Sequence, residues 1–219
     1  MKKIITMILC FGILINLFDL AAGACDSNLT YKLSIPSLMD MSIAVYGNNT
    51  VYNENGVNMS DAVKRGILQW NYTGVKYPNI KFNSLTYTTS RNYTIVVLIG
   101  DYGGDGYHGG CIFYTSNGTR VNPEIPGGGL YPSATRDWNY CIIRIHTNHP
   151  DVQSRGYDAI KALGAHESGH ALGLRHCDII SHEAIMFNDA IELNDNRHVS
   201  APSDKDRQLL LNLYDVIPS

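Results

Sequence analysis

Residues 166–176 read His-Glu-Ser-Gly-His-Ala-Leu-Gly-Leu-Arg-His. His166 and His170 stand four apart, so on a helix both imidazoles leave the same face and can share one metal ion. Glu167 sits one residue round, beside that metal and not on it, where a carboxylate can take a proton from water. Gly173 falls where the helix must end, because a left-handed residue closes a helix and glycine supplies it without a Cβ penalty. The turn then delivers His176 as a third ligand. Three neutral imidazoles leave a fourth tetrahedral position open, the mark of a catalytic zinc site and not a structural one. Chance would place these residues at this spacing on the order of once in 10,000 chains of this composition, so an accidental His pair on an amphipathic helix is set aside. The spacing predicts one catalytic Zn2+ on His166, His170 and His176, with Glu167 as general base.

The motif calls for a helix over 158–172. Upstream, residues 29–35 alternate well enough for a first strand. Ser60 can cap a helix whose Val63, Ile67 and Trp70 share one face. Residues 80–85 and 93–99 read as strands, the second a buried apolar run. A Gly-rich loop over 101–110 leads to a short strand at 111–115. A long loop follows, with Pro123, Pro126 and glycines at 127–129, and then a strand over 140–146. A final helix over 204–214 starts after Ser203, its cap. Strands early, helices late and a single sheet give an α+β domain.

The chain has 219 residues, 17 Lys+Arg against 20 Asp+Glu, and a formal net charge of -3. Nucleic acid wants a basic face, and this balance supplies none. With 44% hydrophobic and 17% charged residues the mix is that of a globular protein. Lys2 and Lys3 precede an apolar run that ends in Ala22-Gly23-Ala24, which reads as a secretory signal peptide over 1–24. A membrane anchor is the alternative, but the run is short and has polar interruptions. Cys25 directly after Ala24 leaves open a lipid anchor at the surface. Residues 25–219 then form one domain, expected to be secreted, monomeric and without a membrane span. Asn-X-Ser/Thr begins at Asn28, Asn48, Asn58, Asn71, Asn92 and Asn117, an excess that suggests a glycoprotein if the chain is exported. Asp101 and Asp105 in the Gly-rich loop permit Ca2+ without demanding it.

The 166–176 segment resembles the metzincin clan of zinc endopeptidases, whose motif HExxHxxGxxH is followed by a Met-turn. Met186, in Ala184-Ile185-Met186, matches that Met, which in the family lies beneath the ligands as an apolar floor. Within the clan the chain looks most like the matrixins. The Trp70 helix, Gly109-Gly110-Cys111, Arg144-Ile145-His146 and the last helix fall in the family's order. The resemblance implies a metzincin-like catalytic domain that hydrolyses a protein or peptide substrate. It also implies that Cys111, Ile112, Phe113, Tyr114 and Thr115 form the edge strand to which substrate adds by main-chain hydrogen bonds. If strands 111–115 and 140–146 are neighbours as in matrixins, a Cys111–Cys141 disulfide follows, leaving Cys25 and Cys177 to pair or stay free.

Some positions depart from the family. Phe187 follows Met186, so the extra Tyr ligand of some metzincins is absent. Of the positions for the second, structural zinc of matrixins, Asp105 and His146 match, while Gly103 and Tyr114 stand where His would. One zinc per chain is therefore expected; His108 could substitute for a missing ligand, although a loop histidine is more often solvated. The competing class is a non-catalytic secreted zinc-binding or adhesion module on the same scaffold, against which Glu167 speaks.

Overall fold

The computed structural model describes residues 31–34, 42–46, 51–72, 85–88, 93–101, 108–122, 134–176, 184–186, 199 and 201–214, the side chains of 46, 72, 85–88 and 211 excepted. The elements are β1 (Ile43–Tyr46), α1 (Met59–Leu68) with a 3-10 turn (Gln69–Tyr72), β2 (Leu85–Thr88), β3 (Ile95–Gly100), β4 (Gly109–Tyr114) and β5 (Tyr140–His146), then α2 (Pro150–Ser154), α3 (Tyr157–Leu172) and α4 (Asp204–Tyr214). The strands make one mixed sheet in the order β2-β1-β3-β5-β4. β1, β2, β3 and β5 run parallel, and β4 lies antiparallel on β5 at one edge. Sheet and helices together give the expected α+β class.

The strand over 140–146 and the helix over 204–214 stand as expected, and α3 begins one residue earlier than 158. The first strand of the described chain is β1 and not 29–35, where Leu33 makes only an isolated bridge to Trp138. β1 escaped notice because Ile43, Ala44 and Val45 are all buried, so they show no alternation. α1 is capped by Asn58, whose Oδ1 accepts the Asp61 N–H at 3.0 Å, and Ser60 lies buried inside the first turn. β2 begins at Leu85, where a strand was expected to end; residues 80–84, like 1–24, Cys25, Asp105, the 123–129 loop and Cys177, lie outside the described residues. The short α2 was not anticipated, although Pro150 at its first position is a start signal.

Strand alternation sorts the sheet into two faces. Ile43, Val45, Ile95, Val97, Phe113, Ile143 and Ile145 join the main core with residues of α1 and α3. Val96, Ile112 and Ile142 gather on the other side with Tyr114 and Tyr140, whose rings stack at 4.9 Å. α1 and α3 meet backbone to backbone. A Cβ on Gly66 would run into the Lys161 carbonyl, and one on Gly164 would stand 2.8 Å from Val63 Cα. Three buried aromatic side chains then bond carbonyls of α3. Trp70 Nε1 donates to Ala165 O at 2.9 Å, Trp138 Nε1 to Ala171 O at 3.0 Å, and the Tyr214 hydroxyl to Leu172 O at 2.7 Å. From Ala159 to Leu172 only Lys161 of α3 is not buried. The motif helix is thus held on every side, which fixes whatever it carries.

The cross-strand disulfide is corrected. Cys111 and Cys141 are both buried free thiols. The β4–β5 register sets Cys111 opposite Ile143 and Cys141 opposite Phe113, so the two cysteines are diagonal neighbours. Such pairs stand roughly 7–8 Å apart at Cα, at or past the reach of a disulfide.

Candidate metal centre

The end of α3 is built by its last glycine. Gly173 has φ 106°, its N–H bonds His170 O at 2.9 Å, and the Leu174 N–H bonds Gly169 O at 3.0 Å. This is the Schellman closure that absorbs orphan carbonyls and turns the chain back. The reversal carries His176 to the other two histidines. His176 Nε2 lies 3.1 Å from His166 Nε2 and 3.0 Å from His170 Nε2.

The other ring nitrogens set the tautomer. His166 Nδ1 lies 2.8 Å from Ile185 O, and His170 Nδ1 lies 2.8 Å from Leu174 O. A carbonyl only accepts, so each Nδ1 carries the proton and each Nε2 presents a lone pair to the centre. Burial, reinforced by the neighbouring imidazoles, holds His166 down at about 3 and His170 well below the ordinary histidine range. Both are neutral ligands at physiological pH. Ligand separations of 3.1 and 3.0 Å approach the edge of a tetrahedron with metal–nitrogen bonds of 2.0–2.1 Å, about 3.3 Å. The group His166, His170 and His176 could hold a metal ion, and its donor set fits zinc.

Glu167 is buried beside this group, and burial raises its carboxyl to about 8. The Cys111 thiol donates to Glu167 O at 3.1 Å and faces Glu167 Oε2 at 3.6 Å. The thiol itself is pushed up, first by burial, then by Cys141 and Glu167. On the adjacent backbone, a Cβ at Gly109 would stand 2.8 Å from Glu167 Oε1. The start of β4 is therefore the wall against which the carboxylate rests.

Met186 is buried. A Cβ on Gly169, between the two helical ligands, would collide with Met186 Sδ and stand 3.0 Å from Trp70 Cζ2. Behind it is a residue that sequence reasoning missed. Asp206 is wholly buried and accepts from Ile185 N at 2.8 Å, Met186 N at 3.2 Å, Ser203 N at 2.8 Å and Ser203 Oγ at 2.7 Å. Since Ile185 O receives the His166 Nδ1 proton, α4 reaches the ligand through one peptide unit. Hydrogen bonds of this outer kind orient a ligand and raise its basicity.

The substrate strand needs correction. β4 is an edge strand, as expected, but Thr115 lies beyond it, in a turn where its N–H bonds Thr119 O at 2.9 Å. Part of the outer edge is also taken. Asn122 Nδ2 donates to Cys111 O at 2.7 Å, Asn122 Oδ1 accepts the Phe113 N–H at 2.8 Å, and the Val121 N–H bonds Phe113 O at 2.9 Å. A buried side-chain amide thus stands in for a neighbouring strand along Cys111, Ile112 and Phe113. Asn122 bonds Cys111 O and Phe113 N and does not reach Gly109, the end of the strand nearest Glu167.

A second group of ligand type is present at the ends of β4 and α2. His108, His149 and Asp151 have ligand atoms within 4.8 Å of one another. His146, matched by resemblance to a structural zinc, is buried nearby but belongs to neither group. Among the described residues no helix is long and apolar enough to cross a membrane. The chain matches no protein-family model and no curated protein. What fold and site define together is an α+β protein with a three-histidine group, two of its rings buried and the third half-buried, able to hold a metal ion.

Proposed function

We propose that this chain is a secreted, zinc-dependent endopeptidase of matrixin-like architecture. One observation carries the reading: the Nε2 atoms of His166 and His170 each lie within 3.1 Å of His176 Nε2, while a buried carboxylate stands on the residue next to His166. His166, His170 and His176 would hold the zinc, which when bound supplies a Lewis acid to polarise a carbonyl and acidify water. Glu167 takes the proton from the attacking water and returns it to the leaving amine. Burial holds its carboxyl at about 8, and the charge of a bound zinc would lower it toward the carboxylate form that a general base requires. Cys111 and Gly109 fix where that carboxylate lies. An extended peptide would pair with the Gly109–Cys111 end of the β4 edge, beyond the Asn122 amide. Met186 and Gly169 support the ligands from below, and Asp206 sets the turn that orients His166.

The experiment is digestion of a peptide library by the purified protein, with and without a zinc chelator. Cleavage that stops with the chelator and returns on adding Zn2+ supports the reading. Zinc binding with no cleavage of any library peptide would instead favour a non-catalytic zinc module.

A further inference from the structure

The second histidine group lies where nothing in the 166–176 motif requires one. His108 leads into β4, and His149 and Asp151 open α2. His108 Nε2 is 3.2 Å from Asp151 Oδ2, and His149 Nδ1 is 3.9 Å from the same oxygen. The two imidazole rings meet edge to face at 4.2 Å. These separations bracket the roughly 3.3 Å between ligands of a tetrahedral ion. We propose that His108, His149 and Asp151 form a second metal site, selective for zinc or a similar divalent transition ion.

The chemistry of the donors sets the class. Two imidazoles and one carboxylate suit zinc and its transition-metal neighbours, whereas calcium and magnesium require mostly oxygen. The bound set would carry one negative charge against a dication. The side chains are 28%, 14% and 43% exposed for His108, His149 and Asp151, so an ion can reach them. His149 Nδ1 also accepts the Asp151 N–H at 3.2 Å and so caps α2. An ion on Nδ1 would displace that long bond and leave one first-turn N–H to water, the ordinary fate of such groups. None of the three donors is a position of the matrixin-like site read from the sequence: Tyr114, one of those positions, is stacked on Tyr140, and His146 belongs to neither group.

The location gives the ion a task. His108 immediately precedes Gly109, the residue that abuts Glu167 Oε1, and His108 O accepts the His146 N–H at 3.0 Å. An ion joining His108 to the start of α2 would brace the wall of the first site. It would do so whether or not that first site is proteolytic.

The test uses the full chain, stripped with a chelator, dialysed against buffered Zn2+ at about 1 μM free ion, a concentration well above the Kd of structural sites, and analysed for bound metal. The variant pair His149→Asn with His108→Gln removes two donors, and Asn keeps the helix cap. Asp151→Asn is the milder second variant, and circular dichroism checks that each is folded. The wild type should bind two ions and the double variant one. His170→Ala should also bind one, and the combination of all three changes none. A wild type that saturates at one ion, lost in His170→Ala and kept in the His149/His108 variant, overturns the second site. So does an unchanged count of two in the folded His149/His108 variant. If that variant loses an ion while His170→Ala loses none, this site stands and the first reading falls.

Discussion

The two histidine groups of this molecule are built on different plans. In the triad, His166 and His170 are 4% exposed each, sit on a helix buried on nearly every side, and have Nδ1 fixed by backbone carbonyls. In the His108, His149 and Asp151 group the donors stand at element ends, partly in water, with a hydrogen bond between His108 and Asp151 and a helix cap already using their atoms. The first group is preorganised and the second must rearrange. Preorganisation lowers what binding costs, so the triad should hold its ion more tightly and lose more when disturbed.

The largest expected effect follows from removing a triad ligand. His170→Ala should strip the first ion and reduce peptide cleavage to background, because His166 and His176 alone do not close the site. Metal content and peptidase rate measured together check this, and full activity in the variant would erase the contrast between the groups. The corresponding change in the second group, His149→Asn, should leave cleavage within about tenfold of wild type, since no donor there touches Glu167.

Support behind the triad comes next. Asp206→Ala leaves the Ile185 and Met186 N–H groups buried without an acceptor, and should destabilise the protein by about 3–5 kcal/mol. Asp206→Asn should keep the fold and weaken zinc binding about 10–100-fold, the usual cost of losing an outer hydrogen bond. Urea unfolding and competitive zinc titration read these two effects, and a loss under about 1 kcal/mol in the alanine variant would contradict the assigned role. Gly173→Ala is smaller, about 1–2 kcal/mol for a forced left-handed residue, with a further contact 2.8 Å from Leu213 Cδ2.

A change of pH reaches the same groups without a substitution. With chelator present, burial holds folded His166 at about 3 and His170 well down, while unfolded histidine titrates near 6.5. Below 6.5 the unfolded chain binds protons that the folded chain refuses, so this part of the stability is lost as pH falls toward 3. Glu167 acts oppositely, because its folded value of about 8 lies above the unfolded 4.5. Its contribution is present below 4.5 and is lost as pH rises through 8. From these groups the metal-free protein should be most stable near pH 6.5. Denaturation midpoints that climb steadily between about pH 5 and pH 8 would go against that sum.

The same contrast explains what could be read in the sequence. His166, Glu167, His170, Gly173 and His176 were legible because helical spacing and one left-handed glycine fix their geometry locally. Met186 was legible only by resemblance. Asp206 was half visible: Ser203 with an acid three residues later reads as a cap, and that cap forms. Nothing in the sequence says that the same carboxylate also holds a turn 20 residues upstream. Asn122 was missed for the same reason, since a loop amide reveals its strand-like role only once β4 lies beside it. The Cys111–Cys141 pairing failed on register: knowing that two strands are neighbours does not say which residues face each other. His149 and Asp151 carried no signal, because their partner His108 is 43 residues away from Asp151 in sequence.

The central claim rests on Glu167 being the proton carrier of a zinc site and not part of the zinc's hold. Glu167→Ala should keep the metal content of the wild type and lose cleavage of a library-derived peptide by at least about 100-fold, the lower end of general acid–base contributions. Cleavage within about tenfold of wild type at equal zinc content would contradict the assigned role and the proposed activity with it.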